Sequence, residues 1–261
     1  MGLTINTNLE ALDAQRNLNN TERMLSTSMQ RLSSGLRINS AADDVAGYAI
    51  SQRLQGQVNG LNQAAQNSQD AVSLAQTAQG SLNDVTQMLQ RIRELAVQYS
   101  NGTTSKTDQQ AIQSEVNQLV SEINRVGETT QFNGVDLLNG STTISFQVGA
   151  NDGEVISVTT ITLSASIGSI QLTSISGIDA ALSAVSAAAG EFGSVQNRIQ
   201  YTQSNLEVYS QNLSSAVSGI VDVNMAAEMT NFTKEQVLTQ AGVSILTQAN
   251  ALPQAVLHLL Q

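Results

Sequence analysis

The chain has 261 residues, room for one or two ordinary domains, yet only 3% are aromatic, none is Trp and Pro253 is its one proline. Charged residues make up 12%, about half the usual share of roughly 25%, and Gln, Asn, Ser and Thr stand in their place. A net charge of −10 repels a phosphate backbone, no run approaches the roughly 18 apolar residues of a membrane span, and the absence of Cys excludes disulfides, thiolate metal sites and a thiol nucleophile.

So few aromatics bury little area per core residue. A long helical protein packed along seams of Leu, Ile, Val and Ala therefore fits better than a compact globule. The opening Met1-Gly2-Leu3-Thr4-Ile5-Asn6 has neither a basic nor an apolar stretch, so no cleaved secretion signal is expected. Asn6 stands where a myristoylation motif wants Ser or Thr. Residues 3–36 carry a helical stripe with one register change: Ile5, Leu9, Leu12, then Leu18, Leu25, Met29, Leu32 and Leu36.

From about 45 to 99, Leu54, Val58, Leu61, Ala65, Val72, Ala75 and Leu82 follow the three-and-four step of a coiled-coil seam. The stripe then shifts phase and continues through Val85, Leu89, Ile92, Ala96 and Tyr99. Asn101-Gly102 marks a break, and Ile112, Val116, Leu119, Ile123 and Val126 predict a third helix. Ser40-x-x-Asp43, Ser105-x-x-Asp108 and Ser176-x-x-Asp179 each read as a capping box where a periodic run begins.

Residues 131–175 differ in character. Ile144, Phe146 and Val148 alternate with polar residues, Asn151-Asp152-Gly153 signals a turn, and alternation resumes at Val155–Thr159 and at Ile161-Thr162-Leu163. This predicts a small β-hairpin region. Ile178, Val185, Phe192, Ile199, Leu206, Leu213 and Ile220 then recur at every seventh position, with Leu182, Ala189, Gln196, Gln203, Ser210 and Val217 as companions. A helix of that extent is about 65 Å long and needs a partner helix alongside; only the 45–99 segment is long enough. Residues 225–260 close the chain with Met225, Met229, Leu238, Ala241, Ile245, Ala249, Leu252, Val256 and Leu260. Neither terminal stripe buries enough to be stable alone, so each needs a cover.

Chemistry finds little to work with. The single histidine, His258, lies in the apolar tail and reads as an incidental polar residue. Glycine-rich phosphate loops, zinc-type His pairs and calcium loops are all missing from the sequence. Asp43-Asp44 suits a helix N-terminus better than a metal pair, and Arg91-Ile92-Arg93-Glu94 reads as a solvated face. No enzyme and no cofactor is expected.

Four stretches carry a family resemblance. Gln30-Arg31-Leu32-Ser33-Ser34-Gly35-Leu36-Arg37-Ile38-Asn39-Ser40-Ala41-Ala42-Asp43-Asp44 resembles the most recognisable stretch of bacterial flagellins. Leu89–Gln98 and Thr130-Gln131-Phe132-Asn133-Gly134 are similar to two further signatures, and Gln248–Leu257 with Leu259-Leu260 to the carboxyl terminus. The resemblance implies a mainly α fold: an elongated antiparallel helical rod or coiled coil with a small β-hairpin region, its termini forming a paired-helix inner domain.

The implied division is 1–43 and 222–261 for the inner terminal helices, 44–138 and 176–221 for the long helices, and 139–175 for the hairpin segment. The implied function is a structural subunit that polymerises into the extracellular flagellar filament for motility. Self-assembly is expected through Ile5, Leu9, Leu12, Leu25, Met29, Leu32 and Leu36 at one end, and Met225, Met229, Leu238, Ile245, Leu252, Val256 and Leu260 at the other.

Further implied partners are the export chaperone, the type III export apparatus, the filament cap and the hook-associated proteins. The flagellin-sensing Toll-like receptor is a further candidate, with Arg91, Leu95 and Glu115 matching its contact cluster; neither nucleic acid nor membrane is expected as a partner. Three alternatives stand beside this reading: a hook–filament junction protein, a flagellin carrying a grafted enzyme, and a generic coiled-coil scaffold.

Overall fold

The computed structural model describes residues 7–167 and 170–259, with 165–166 and 252–259 as backbone only. Its contacts separate two compact units, one made of Met1–Gln55 with Leu213–Gln261 and the other of Gly56–Asn212. The long helices α2 (Val45–Tyr99) and α5 (Ile175–Val221) contribute to both.

In the central unit, α2 and α5 run antiparallel in one constant register. Arg93 pairs with Asp179 at 2.7 Å, a Cβ on Gly193 would come 3.0 Å from the Gln79 amide nitrogen, and the Ser210 hydroxyl meets Asn62 at 3.2 Å. The two residue numbers of each pair add to the same total, so the helices do not slip. The seventh-position residues Ile178, Val185, Phe192 and Ile199 are all but fully buried. Their buried companions are Ala181, Ala188 and Val195, three positions on; the expected Leu182, Ala189 and Gln196, four on, are only half-buried. Small alanines let the neighbouring backbone approach, while the larger Leu182 and Gln196 lean to the rim.

The phase shift in α2 is real. Burial runs through Val58, Leu61, Ser68, Val72, Ala75 and Leu82, takes one short step to Val85, and resumes at Leu89, Ile92 and Ala96. Ala71, Leu74, Ala78 and Leu95 are buried as well, so this stretch presents a wide face to more than one element. One of these is α3 (Lys106–Thr129), whose Ile112, Val116 and Ile123 complete the core.

The Ser105 capping box is present: its hydroxyl accepts from the Asp108 N–H while the Asp108 carboxylate accepts from Ser105, which holds the Asp108 carboxyl below its usual range. The other two boxes are not helix caps. Asp44, not Ser40, caps α2 by accepting from the Gly47 N–H at 2.9 Å. Ser174 precedes α5 and its hydroxyl accepts from Gly177, so Ser176 is already helical and Asp179 is free to meet Arg93.

Two small antiparallel ribbons follow α3. β1 (Gln131–Phe132) and β2 (Val135–Asp136) turn through Asn133 and Gly134, both at positive φ, the two-residue turn that an Asn-Gly pair favours. β3 (Thr143–Gln147) and β4 (Val155–Thr159) pair Ile144 with Val158 and Phe146 with Ile156. These side chains pack on the core while Ser145 and Ser157 meet on the outer face. The alternation expected at Ile161-Thr162-Leu163 does not extend the sheet. Leu163 instead opens the short helix α4 (Leu163–Ile167) and, with Ile167, plugs the core.

The terminal unit pairs α1 (Leu9–Ser34) with α6 (Met225–Leu259). Asn8 caps α1 through its side chain, and Gly35 ends it at φ 75°, donating its N–H to the Arg31 carbonyl. Beyond it the chain is clasped to the end of α5: the Arg37 N–H donates to the Val221 carbonyl at 2.6 Å, the Val223 N–H to that of Gly35 at 3.0 Å, and the Arg37 guanidinium to that of Ile220. Ile38 is 3% exposed and lies against Gly47, where a Cβ would come 2.7 Å from Ile38 Cδ1 and 2.4 Å from Asp44 Oδ2.

Candidate assembly surface

The antiparallel pairing of α1 and α6 is fixed by three contacts. The Asn8 side chain donates to the Ala249 carbonyl at 2.7 Å, Leu18 sits against Gly242, and Arg31 faces Glu228 at 3.9 Å. Inward positions alternate by three and four: Ala11, Ala14, Leu18, Thr21, Leu25, Ser28 and Leu32 on α1, and Glu228, Phe232, Glu235, Thr239, Gly242, Leu246 and Ala249 on α6. The geometry is that of a coiled coil, but the seam is small and polar. It holds five large apolar residues, two hydroxyls on one side, and two carboxylates and a hydroxyl on the other.

Ten further large apolar residues of the two helices face away from the seam. Leu9 is 66% exposed, Ile245 60% and Met29 56%, and Leu12, Met24, Met225, Met229, Val237, Leu238 and Val243 are also exposed. Burying a side chain of this kind against a partner contributes about 1.5–3 kcal/mol, so the unit presents more hydrophobic gain outward than its seam collects.

The residues expected to mediate assembly thus fall into four groups. Leu9, Leu12, Met29, Met225, Met229, Leu238 and Ile245 stand outward. Leu25 and Leu32 are half-buried in the seam, and Leu36 bridges Asp222 in the clasp. Ile5 and Leu260 lie outside the described residues, as do the side chains of Leu252 and Val256. Met24, Val237 and Val243 are outward apolar residues that the stripe reading missed. The usable signal was an apolar residue off the seam, which a stripe search discards.

Charge separates the two units. The terminal unit carries six basic residues (Arg16, Arg23, Arg31, Arg37, Arg53, Lys234) against eight acidic ones (Glu10, Asp13, Glu22, Asp43, Asp44, Asp222, Glu228, Glu235), whereas the central unit carries five against thirteen. Most of the chain's net negative charge thus belongs to the central unit.

In the clasp, the Asp43 carboxylate accepts from the Ser40 and Asn39 N–H groups and the Ser40 hydroxyl, which hold it below the ordinary aspartate range. On the central unit, Arg91 pairs with Glu115 at 3.0 Å and Glu94 at 3.1 Å, all three exposed. Leu95 is 2% exposed and belongs to the core, so it is not presented at the surface beside them. Among the described residues no cluster could hold a metal ion, and no helix is long and apolar enough to cross a membrane.

Comparison with known proteins agrees along the whole chain. The bacterial flagellin N-terminal helical region matches residues 5–143 and the C-terminal helical region residues 175–260. Flagellin of Halalkalibacterium halodurans is 47% identical, covering 99% of this chain and 100% of that one, and flagellin of Bacillus subtilis is 38% identical at the same coverage. The crystal structure of Bacillus cereus flagellin superposes with a TM-score of 0.51 at 28% identity, covering 54% of this chain and 88% of that one. The chain belongs to the bacterial flagellins, the non-enzymatic structural subunits that self-polymerise into the extracellular flagellar filament.

Proposed function

We propose that polymerisation runs through the outward apolar face of the paired terminal helices: Leu9, Leu12, Met24 and Met29 on α1, and Met225, Met229, Val237, Leu238, Val243 and Ile245 on α6. Ile5, Leu252, Val256 and Leu260 extend the same stripe by sequence. The observation that carries this reading is the skewed burial, with most of the large apolar residues outside and Glu228 and Glu235 inside. The low charge of the unit supports close packing of many copies, as the lining of a tube requires.

The test is negative-stain electron microscopy of Leu238→Asp with Ile245→Asp. Loss of filaments with an unchanged far-UV spectrum of the soluble subunit supports the assignment; filaments of ordinary length would overturn it.

The same tail is a platform for an export chaperone ahead of passage through the type III export apparatus, and for contacts with the filament cap and the hook-associated proteins. Removing residues 225–261 is expected to abolish chaperone binding in a pull-down, and retained binding would contradict it. Recognition by a flagellin-sensing Toll-like receptor is assigned to the surface around Arg91 and Glu115, with Leu95 holding the helix beneath. Arg91→Ala with Glu115→Ala is expected to reduce receptor signalling by soluble subunit; unchanged signalling would remove the assignment.

A further inference from the structure

Between α1 and α6 lies a groove of about 440 Å³, lined among others by Met24, Ser28, Arg31, Glu228, Asn231 and Glu235; its own Asn231 carboxamide bonds neither Arg31 Nε nor Glu235 Oε2. Two of its polar atoms are buried and have no hydrogen-bond partner among the described residues: Nε of Arg31, a donor, and Oε2 of Glu235, an acceptor. Glu235 is 6% exposed, so bulk water does not compensate its carboxylate. Helical side chains lean toward the N-terminus of their own helix. In an antiparallel pair, Arg31 and Glu235 therefore lean toward each other along this groove, while Arg31 reaches Glu228 only at 3.9 Å.

The missing partner must accept one hydrogen bond and donate another. Lysine and arginine only donate, and a carboxylate only accepts; a hydroxyl does both but from a single oxygen, whereas a carboxamide carries acceptor and donor on two separate atoms of one small planar group. We propose that this groove receives the carboxamide of an Asn or Gln from a second copy of this chain, its oxygen accepting from Arg31 Nε and its nitrogen donating to Glu235 Oε2. The proposal rests on the assembly reading above.

Two features favour a sister subunit as the source. The chain belongs to a family that polymerises, and exposed Met24 makes the groove wall continuous with the outward apolar face. The outer faces of α1 and α6 also carry the needed group repeatedly, at Gln15, Asn19, Asn20, Gln30, Gln236 and Gln240, all exposed. The groove is far larger than the roughly 30 Å³ occupied by one water, so a side chain fits.

A cryo-electron microscopy reconstruction of the unaltered filament, with polymerisation assays of Glu235→Leu and Glu235→Gln, tests this. The reconstruction is expected to place a neighbouring copy's Asn or Gln within hydrogen-bond distance of both atoms. A groove holding only water or groups of its own chain would overturn the proposal.

Glu235→Leu would leave the incoming amide N–H buried without an acceptor, raising the critical concentration for polymerisation about tenfold. Glu235→Gln keeps an acceptor and should stay near the unaltered value. If the carboxylate has no partner from another copy, replacing it with Leu is neutral or favourable, so a critical concentration unchanged or lowered in Glu235→Leu counts against the proposal. If the unaltered chain forms no polymer, the assembly reading fails and the groove proposal with it; filaments with an empty groove sink only the latter.

Discussion

The two units use the same helix periodicity to opposite ends. In the central unit, the inward positions of α2, α3 and α5 are mostly Leu, Ile, Val, Phe and Ala, with Ser68 a buried polar exception on α2, and a hairpin and a short helix seal the core. In the terminal unit the same three-and-four spacing delivers Ser28, Thr21, Glu228 and Glu235 to the seam and leaves Met24, Met29, Leu238 and Ile245 outside. Spacing alone thus decides only that a helix has a facing side. Which residues occupy that side decides whether the fold is satisfied within one chain or waits for another.

The contrast can be broken most severely at the outward face. Leu238→Asp with Ile245→Asp should abolish filaments while leaving the thermal unfolding of the central unit unchanged by circular dichroism. Phe192→Ala should do the reverse. Truncating a fully buried aromatic costs about 3–5 kcal/mol, a loss readable as a lower melting temperature of the soluble subunit.

Smaller effects sharpen the picture. Gly47→Ala forces a Cβ onto Ile38 and Asp44 and should cost about 1–3 kcal/mol, loosening the clasp before the central core in hydrogen exchange. Ser105→Ala removes half a capping box and should cost about 1 kcal/mol, lowering the melting temperature of the central unit only slightly.

Acid acts on the clasp with a definite sign. The Asp43 carboxyl is held below its ordinary value of 3.8 by the Ser40 and Asn39 groups that donate to it. Its contribution is present above the unfolded value and is lost as pH falls through the lowered one. Amides 39–44 should therefore keep their protection through the ordinary aspartate range and lose it only at lower pH, a trend visible by NMR hydrogen exchange.

Much of this was legible in the sequence because periodicity and turn chemistry are local. The seventh-position run from Ile178, the phase shift at Leu82–Val85 and the Ser105 box all appear where the spacing placed them. Helix α4 was not legible, because the alternation of Ile161-Thr162-Leu163 fits a strand as well as a helix start, and only the core cavity that Leu163 fills decides between them. The division of the terminal stripe into seam and outer face was also hidden. Leu25 and Met29 lie four residues apart and share a stripe in projection, but which of them α6 covers depends on where α6 crosses.

The most direct test is native-state hydrogen exchange of the soluble subunit against the filament, read helix by helix. Amides of α1 and α6 should exchange quickly in the subunit and become strongly protected in the filament, while those of α2, α3 and α5 in the central unit are protected equally in both. Protection of α1 and α6 in the soluble subunit as strong as that of the central helices would contradict the claim that their fold is completed by other copies of the chain.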